Sequence, residues 1–263
     1  MGPLTDIVMP IALGIIMLGL GLTLVPADFR RVAEVPRAVF VGLFCQMVLL
    51  PMAAFGIAKL FALPPLLAVG LMLLSAAPGG ASANIFSHIA RGDVALNITL
   101  TAMNSVLSVF TLPLIVGFAL SHFLAEDKQI PLQVGKVIQV FAIILVPVGI
   151  GMVVRGVKPT FAALMEKPVR IFSVVFLLIL IVAAVAKERA NMGSYFAAVG
   201  FPALLFNVMS LGVGYLVPRL VKLSERQAIA IGMEIGIHNG TLAIAIATTV
   251  LASSVIAIDR KST

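Results

Sequence analysis

Eight long apolar segments dominate this chain and restrict it to a membrane fold. Of its 263 residues, 61% are hydrophobic and only 11% are charged. About 20 apolar residues in a helix are enough to cross a bilayer. The segments run approximately over residues 7–25, 38–61, 66–89, 94–122, 137–154, 169–186, 194–217 and 228–258. The sequence therefore predicts an all-α polytopic membrane protein with about eight transmembrane helices, which form a single integral domain over residues 1–263 in the lipid bilayer.

Basic residues cluster at the ends of the predicted spans. The chain holds 18 Lys and Arg against 11 Asp and Glu, and their position at span ends makes a nucleic-acid partner unnecessary. Eleven of the 18 follow odd-numbered spans, and short cytoplasmic loops are the ones enriched in Lys and Arg. This bias predicts a multi-pass membrane protein with its N-terminus outside and its odd-numbered loops in the cytoplasm. The basic tail Asp259-Arg260-Lys261 would then lie on the wrong side, so we expect a final span to be missing.

Two polar interruptions divide the third and the eighth apolar segments. The first is Pro78-Gly79-Gly80-Ala81-Ser82-Ala83-Asn84, and the second is Glu234-Ile235-Gly236-Ile237-His238-Asn239-Gly240. Proline lacks a backbone N–H and glycine is a poor helix former, so the first helix is expected to stop at Pro78 and to restart just beyond it. Freed backbone groups at membrane depth must face protein or a water-filled cavity. Such paired interruptions indicate the binding site of a transporter.

The spacing of the interruptions indicates an internal repeat. Span 1 begins near Ile7 and the first interruption centres on Gly79, whereas span 6 begins near Val169 and the second centres on Gly236. The two halves, approximately residues 1–125 and 126–263, are thus similarly paced. Matching spans are an odd number apart and cross the membrane in opposite directions, which is an inverted-topology repeat. Pacing alone does not decide the question, but the paired interruptions favour the repeat.

Glu234 is an acidic residue inside the eighth apolar segment. A carboxylate at membrane depth is costly and by default functional, and every Lys and Arg maps near a span end. Carboxylate and carbonyl oxygens suit a hard cation. Alternatively, Glu234 carries a proton, with His238 four residues along on the same face if the helix continues.

Span 4 carries a polar stripe on one helical face. Its members are Asn97, Thr101, Asn104, Ser105 and Ser108. Serine in membrane helices often bonds a carbonyl of its own helix, and we favour that interpretation for Ser105 and Ser108. For Asn97 and Thr101, which lie one turn apart near the first interruption, we predict ion ligation.

At these positions the sequence resembles the bile acid:sodium symporter family, in particular its bacterial members. The similarity covers the two interruptions, Ala90-Arg91-Gly92-Asp93-Val94-Ala95-Leu96 after the first, and Leu18-Gly19-Leu20-Gly21-Leu22-Thr23-Leu24 in span 1. The resemblance implies two broken helices that cross at the membrane centre, and a core domain that moves against a panel domain. Its bacterial character implies a location in the plasma membrane, specifically a bacterial inner membrane.

The resemblance also implies two sodium sites and a place for the substrate. The first site takes Asn84, Asn97, Thr101 and Glu234, with the backbone of Ala83. The second takes Glu234, Gln46, Ile235, Ile237 and His238. The substrate is expected near the crossing, at Ala81, Ser82, Asn239 and Gly240. Histidine stands at position 238 where glutamine is common in the family, and the family's first and last helices are expected to be absent.

Charge indicates the class of substrate. Two sodium ions that share Glu234 leave a net charge of about +1, which a carboxylate substrate would neutralise. We therefore predict a sodium-coupled symporter of an organic anion, such as a bile acid, a keto acid or a pantoate-like compound; the oligomeric state is not predicted.

Other functions remain open from the sequence. They are a proton-coupled transporter that uses Glu234 and His238, a truncated form that binds ions without transport, an arsenite exporter with Cys45 as its thiol, and a passive channel. An intramembrane enzyme would need a paired aspartate, a zinc cluster or a Ser/His pair at a suitable depth. Only one intramembrane carboxylate is present, and Ser82 with His238 is a weak dyad candidate with no third group to orient it. We predict a transporter and no enzyme.

Overall fold

The computed structural model describes residues 3–23, 26–124, 134–189, 192–240 and 243. All regular elements in these residues are helical. They are α1 (Pro3–Thr23), α2 (Pro26–Glu34), α3 (Pro36–Phe44), α4 (Leu50–Leu60), α5 (Pro65–Ala76), α6 (Ala81–Ile89), α7 (Val94–Phe123), α8 (Val134–Val157), α9 (Pro159–Glu188), α10 (Met192–Leu220) and α11 (Glu225–Gly236). A single π-helical turn, Cys45–Leu49, joins α3 to α4. The predicted all-α fold is confirmed.

Proline and capping residues set many of the helix boundaries. Helices α3, α5 and α9 begin with a proline, whose fixed φ suits the first helical position. Helix α11 begins with a capping box in which Ser224 and Gln227 satisfy each other's backbone N–H groups. These local signals explain why α9 begins at Pro159, ten residues before the predicted start of its apolar segment at 169.

Helix α9 extends beyond its predicted apolar segment because charged residues lower the hydropathy without ending the helix. Glu166 and Lys167 lie inside α9. Similarly, the basic residues after span 1 were assigned to a loop, but Arg30 and Arg31 belong to the short helix α2. Such an amphipathic segment escapes a search for apolar runs.

Two stretches of the described residues are long and apolar enough to cross a membrane. They are Pro36–Leu60 and Phe196–Leu220, each of 25 residues. Helix α7 bends by 56° between its two parts, Val94–Ser108 and Phe110–Phe123. It is a third such stretch if the two parts count as one span. The total of eight spans stays a prediction.

The chain divides into two compact units. In the first, α1 packs on α8 and α9. Gly21 and Gly151 permit the close approach of α1 and α8, because a Cβ on Gly21 would overlap the carbonyl of Val148. Small residues at such crossings are typical of membrane helices.

The second unit contains α2–α7, α10 and α11. Helix α11 packs against α10, α6 and α7. At its crossing with α10, Gly214 faces the backbone of Gly232. This unit carries all of the site residues predicted from the sequence.

Candidate cation-binding site

The two interruptions pair with each other through their backbones. Helix α5 ends at Ala76 and α6 begins at Ala81, so the predicted first break is confirmed. Residues 78–80 run antiparallel to residues 237–239, with a bridge between Gly79 and His238. The N–H of Gly80 donates to the carbonyl of Ile237 (2.9 Å), and the N–H of Asn239 donates to the carbonyl of Pro78 (3.0 Å). The pairing satisfies backbone groups that the breaks remove from their helices.

Helix α11 ends at Gly236, immediately before this pairing. The predicted continuation beyond the second break falls on residues 241, 242 and 244–263, which lie outside the described residues. His238 therefore lies beyond the end of α11, and the condition under which it would share a helical face with Glu234, a helix that continues past Gly236, is not met.

Glu234 is fully buried beside the first break. The hydroxyl of Thr101 donates to its Oε2 at 2.6 Å, and the amide of Asn104 donates to its Oε1 at 3.1 Å. The backbone N–H of Gly79 also donates to this carboxylate. No Lys or Arg of the described part of the chain pairs with this carboxylate. Among the described residues only neutral donors bond this carboxyl group, and a negative charge buried there would be costly without a counter-charge.

Four amide side chains in the same unit present buried oxygens with no hydrogen-bond partner among the described residues. They are Gln46, Asn84, Asn97 and Asn104. Their nitrogens explain the orientation of two of them: Asn97 donates to the carbonyl of Ala230 at 2.6 Å, and Gln46 donates to the carbonyls of Ser75 and Ala77. Buried acceptors are normally satisfied, so each exception calls for an absent partner such as water or an ion.

The chemistry of this set fits a hard cation. Amide and carboxylate oxygens are the ligands of hard cations, whereas soft metals prefer thiolate and imidazole. The described residues contain no group of three or more His, Cys, Asp or Glu side chains that would hold a metal. The residues present therefore fit sodium better than a transition metal.

The remaining residues of the predicted sodium sites lie around the paired breaks. Ala83 and Ile235 are fully buried, and the carbonyl of Ile237 already accepts from Gly80. The ring of His238 stacks on Phe206 with centroids 5.2 Å apart. Its two ring nitrogens have no partner among the described residues.

The residues predicted for the substrate adjoin the same pairing. Ala81 begins α6, and Ser82 is exposed. Asn239 takes part in the backbone pairing, and the N–H of Gly240 donates to the carbonyl of His238 at 3.0 Å. The four predicted substrate residues thus lie in or beside the two paired segments, near the N-terminus of α6.

Comparison with known families assigns the chain. Residues 10–195 match the family described as the sodium bile acid symporter family. The chain belongs to the sodium bile acid symporter family. Its members are sodium-coupled membrane transporters, so the prediction of a transporter and not an enzyme is confirmed.

Relatives come from bacteria, plants and animals. The uncharacterised sodium-dependent transporter YocS of Bacillus subtilis is 29% identical over 90% of this chain and 73% of its own length. The probable chloroplastic sodium/metabolite cotransporter BASS1 of Arabidopsis thaliana is 28% identical over 90% of this chain and 58% of its own. The hepatic sodium/bile acid cotransporter of Rattus norvegicus is 26% identical over 89% and 65%. The chain thus spans less than two thirds of the plant and rat proteins.

Two polar residues of the site were not assigned a role from the sequence. Asn104 was placed on the polar face of span 4, but its bond to Glu234 was not foreseen. Asn207 of α10 donates to the carbonyl of Gly236 at 3.0 Å and so holds the end of α11. For Asn104, a signal existed in its seven-residue offset from Asn97, which keeps both on one face.

Proposed function

We propose that this chain is a sodium-coupled symporter of an organic anion that works by alternating access in the plasma membrane. The observation that carries the proposal is the fully buried Glu234, which lies beside two helix breaks in a unit with four unpartnered amide oxygens. Cations would supply both the missing counter-charge and the missing partners of these oxygens.

Two ions are proposed. The first binds between α6, α7 and α11, at Asn84, Asn97, Thr101, Glu234 and the backbone of Ala83. The contacts that support it are the bond from Thr101 to Glu234 and the free oxygens of Asn84 and Asn97. The second binds at Gln46, Glu234 and His238 with the backbone of Ile235 and Ile237. The free oxygen of Gln46 supports this site.

An organic anion is the proposed cargo. Two sodium ions on Glu234 leave about one positive charge, and the N-terminus of α6 adds the positive end of a helix dipole, which favours anions. Ala81, Ser82, Asn239 and Gly240 would contact the anion. A bile acid, a keto acid or a pantoate-like carboxylate meets these requirements. Moving one net charge through the membrane is worth about 2.3 kcal/mol per 100 mV, which would drive uptake.

The proposed architecture has eight spans, an inverted repeat and two broken helices that cross at the membrane centre. The antiparallel pairing of residues 78–80 with 237–239 supports the inverted relation between the halves. In this proposal the unit with α1, α8 and α9 is the panel domain, and the unit with the paired breaks is the core domain. The N-terminus lies outside.

The decisive experiment replaces sodium with choline. The purified full chain should gain thermal stability with sodium, and uptake of a carboxylate into proteoliposomes should require it. Glu234→Gln keeps the shape but removes the charge, so both effects should disappear. Glu225→Gln, an exposed residue of the same helix, is the matched control and should behave as wild type. Undiminished uptake in choline would reject sodium coupling and favour proton coupling.

A further inference from the structure

A small cavity lies between the π-helical turn, the end of α5 and α7. Its volume is about 10 Å³, which is about the space that one water molecule requires. Gln46, Ala76, Pro78, Asn104, Ser108 and Thr111 line it. No organic substrate fits this space, which has room for a single ion or water molecule.

The two amides at this cavity have fixed orientations. The nitrogen of Gln46 donates to the carbonyls of Ser75 (3.1 Å) and Ala77 (3.0 Å). The nitrogen of Asn104 donates to Glu234. Because these partners are acceptors only, flipping either amide would set oxygen against oxygen. The oxygens of Gln46 and Asn104 must therefore find their partners elsewhere, and both are buried without one in the described structure.

The other polar atoms of the cavity are also acceptors. Ser108 and Thr111 direct their hydroxyl hydrogens to the carbonyls of Ser105 (2.9 Å) and Leu107 (3.3 Å), which leaves oxygen lone pairs for a ligand. The C-terminal end of α5 adds the negative end of a helix dipole. None of the described lining residues is Lys, Arg or His. A space that presents acceptors alone favours a cation.

We propose that this cavity binds one sodium ion and that Asn104 is a direct ligand of it, together with Gln46. This inference rests on the proposed sodium coupling: the ion is the second one proposed above, which Gln46 already helps to hold, and Asn104 is added to its ligands. Asn104 then has two roles, since its nitrogen holds Glu234 while its oxygen holds the ion. A change in occupancy of the cavity is transmitted to Glu234 through a single amide group.

The test is a sodium titration of thermal stability on the purified full chain, with choline keeping ionic strength constant. Asn104→Ala and Gln46→Ala should each raise the sodium concentration for half-maximal stabilisation about tenfold, as expected for loss of one bond to a charged group. If both residues hold one ion, the double variant should be little worse than either single variant. Non-additivity of this kind reports a shared partner.

Two Thr→Val variants of similar volume test the cavity with little risk of unfolding the chain. Thr111→Val removes a cavity oxygen without changing volume and should weaken sodium several-fold. Thr99→Val is its control, because Thr99 is buried on α7, its hydroxyl donates to the carbonyl of Ala95 in its own helix at 2.9 Å, and it does not line the cavity. Equal sodium dependence of these two variants would count against an ion in the cavity.

The outcomes separate the inference from the proposed function. If the wild-type chain gains no stability from sodium, the proposed function fails. If sodium stabilises the wild type and Glu234→Gln abolishes this, but Asn104→Ala keeps the wild-type half-saturation, the inference alone fails. Loss of stability in Asn104→Ala that is equal in sodium and in choline would assign the cavity to water and overturn the inference.

Discussion

The carboxylate of Glu234 lies directly against the backbone of Gly79, in the space that a Cβ on Gly79 would occupy. The acidic residue comes from the segment before one helix break, and the glycine is part of the other. The two interruptions are therefore matched in shape as well as in hydrogen bonding.

We predict that Gly79→Ala abolishes sodium-dependent stabilisation. The added methyl group would meet the carboxyl carbon and both oxygens of Glu234, which must then move from its bonds with Thr101 and Asn104. Gly70→Ala on α5 is the control, since a Cβ there meets nothing within 4 Å. It should be neutral or stabilise by about 0.5–1 kcal/mol. Similar sodium titrations of the two variants would contradict the geometry.

Thr101→Val should weaken sodium binding by about tenfold without unfolding the chain. Valine keeps the volume but removes the hydroxyl that lies 2.6 Å from Glu234, and bonds to charged groups are worth about 1.5–3 kcal/mol. The sodium concentration at half-maximal thermal stabilisation measures the effect. If Thr101→Val reaches half-maximal stabilisation at the same sodium concentration as the wild type, this hydroxyl neither ligates sodium nor positions Glu234 for it.

Gly214→Ala should destabilise the second unit by about 1–3 kcal/mol, the usual cost of overpacking. Its Cβ would lie 2.8 Å from the Cα of Gly232 on α11, where backbone leaves no room to yield. Gly212→Ala, two residues away on α10, meets nothing within 4 Å. Thermal unfolding in detergent should separate the variants. Equal melting temperatures would show that α10 and α11 are not in close contact there.

Asp93 combines a helix cap with an ion pair, and two variants separate these roles. Its carboxylate accepts from the N–H of Leu96 at 3.0 Å and from Arg31 at 3.3 Å. Asp93→Ala removes both and should cost about 1 kcal/mol or more of the free energy of unfolding. Asp93→Asn keeps the cap and should cost less than 1 kcal/mol, because partly exposed ion pairs contribute little. If the asparagine variant is as unstable as the alanine variant, the ion pair dominates.

The sequence predicted the breaks and the buried carboxylate because their signals are local. Pro78 and the glycines after it disfavour a continuous helix. Glu234 is a carboxylate inside an apolar segment, and such a residue is by default functional. The roles of Ser105 and Ser108 were also predictable, and both bond carbonyls of their own helix. These inferences need no knowledge of which helices are neighbours.

The sequence does not show which residues from distant parts of the chain form hydrogen bonds with each other. Asn207 is an isolated polar residue on α10, and its role depends on the end of α11 lying beside it. Asn104 shares its helical face with four other polar residues, and only the position of Glu234 distinguishes it. Helix α9 begins ten residues before its apolar segment for a different reason, since hydropathy detects membrane depth and not helix length.

The π-helical turn at Cys45–Leu49 has a consequence for comparing relatives. Its ring closes from the N–H of Leu50 to the carbonyl of Cys45, one residue wider than an α-helical ring. A relative that lacks this extra residue would show a one-residue gap and would have its preceding helix rotated by about 100° relative to α4. Such a relative would turn the residue aligned with Gln46 away from the carbonyls of Ser75 and Ala77. The length of this turn, and not just the presence of a glutamine, is therefore a marker of which family members share this feature.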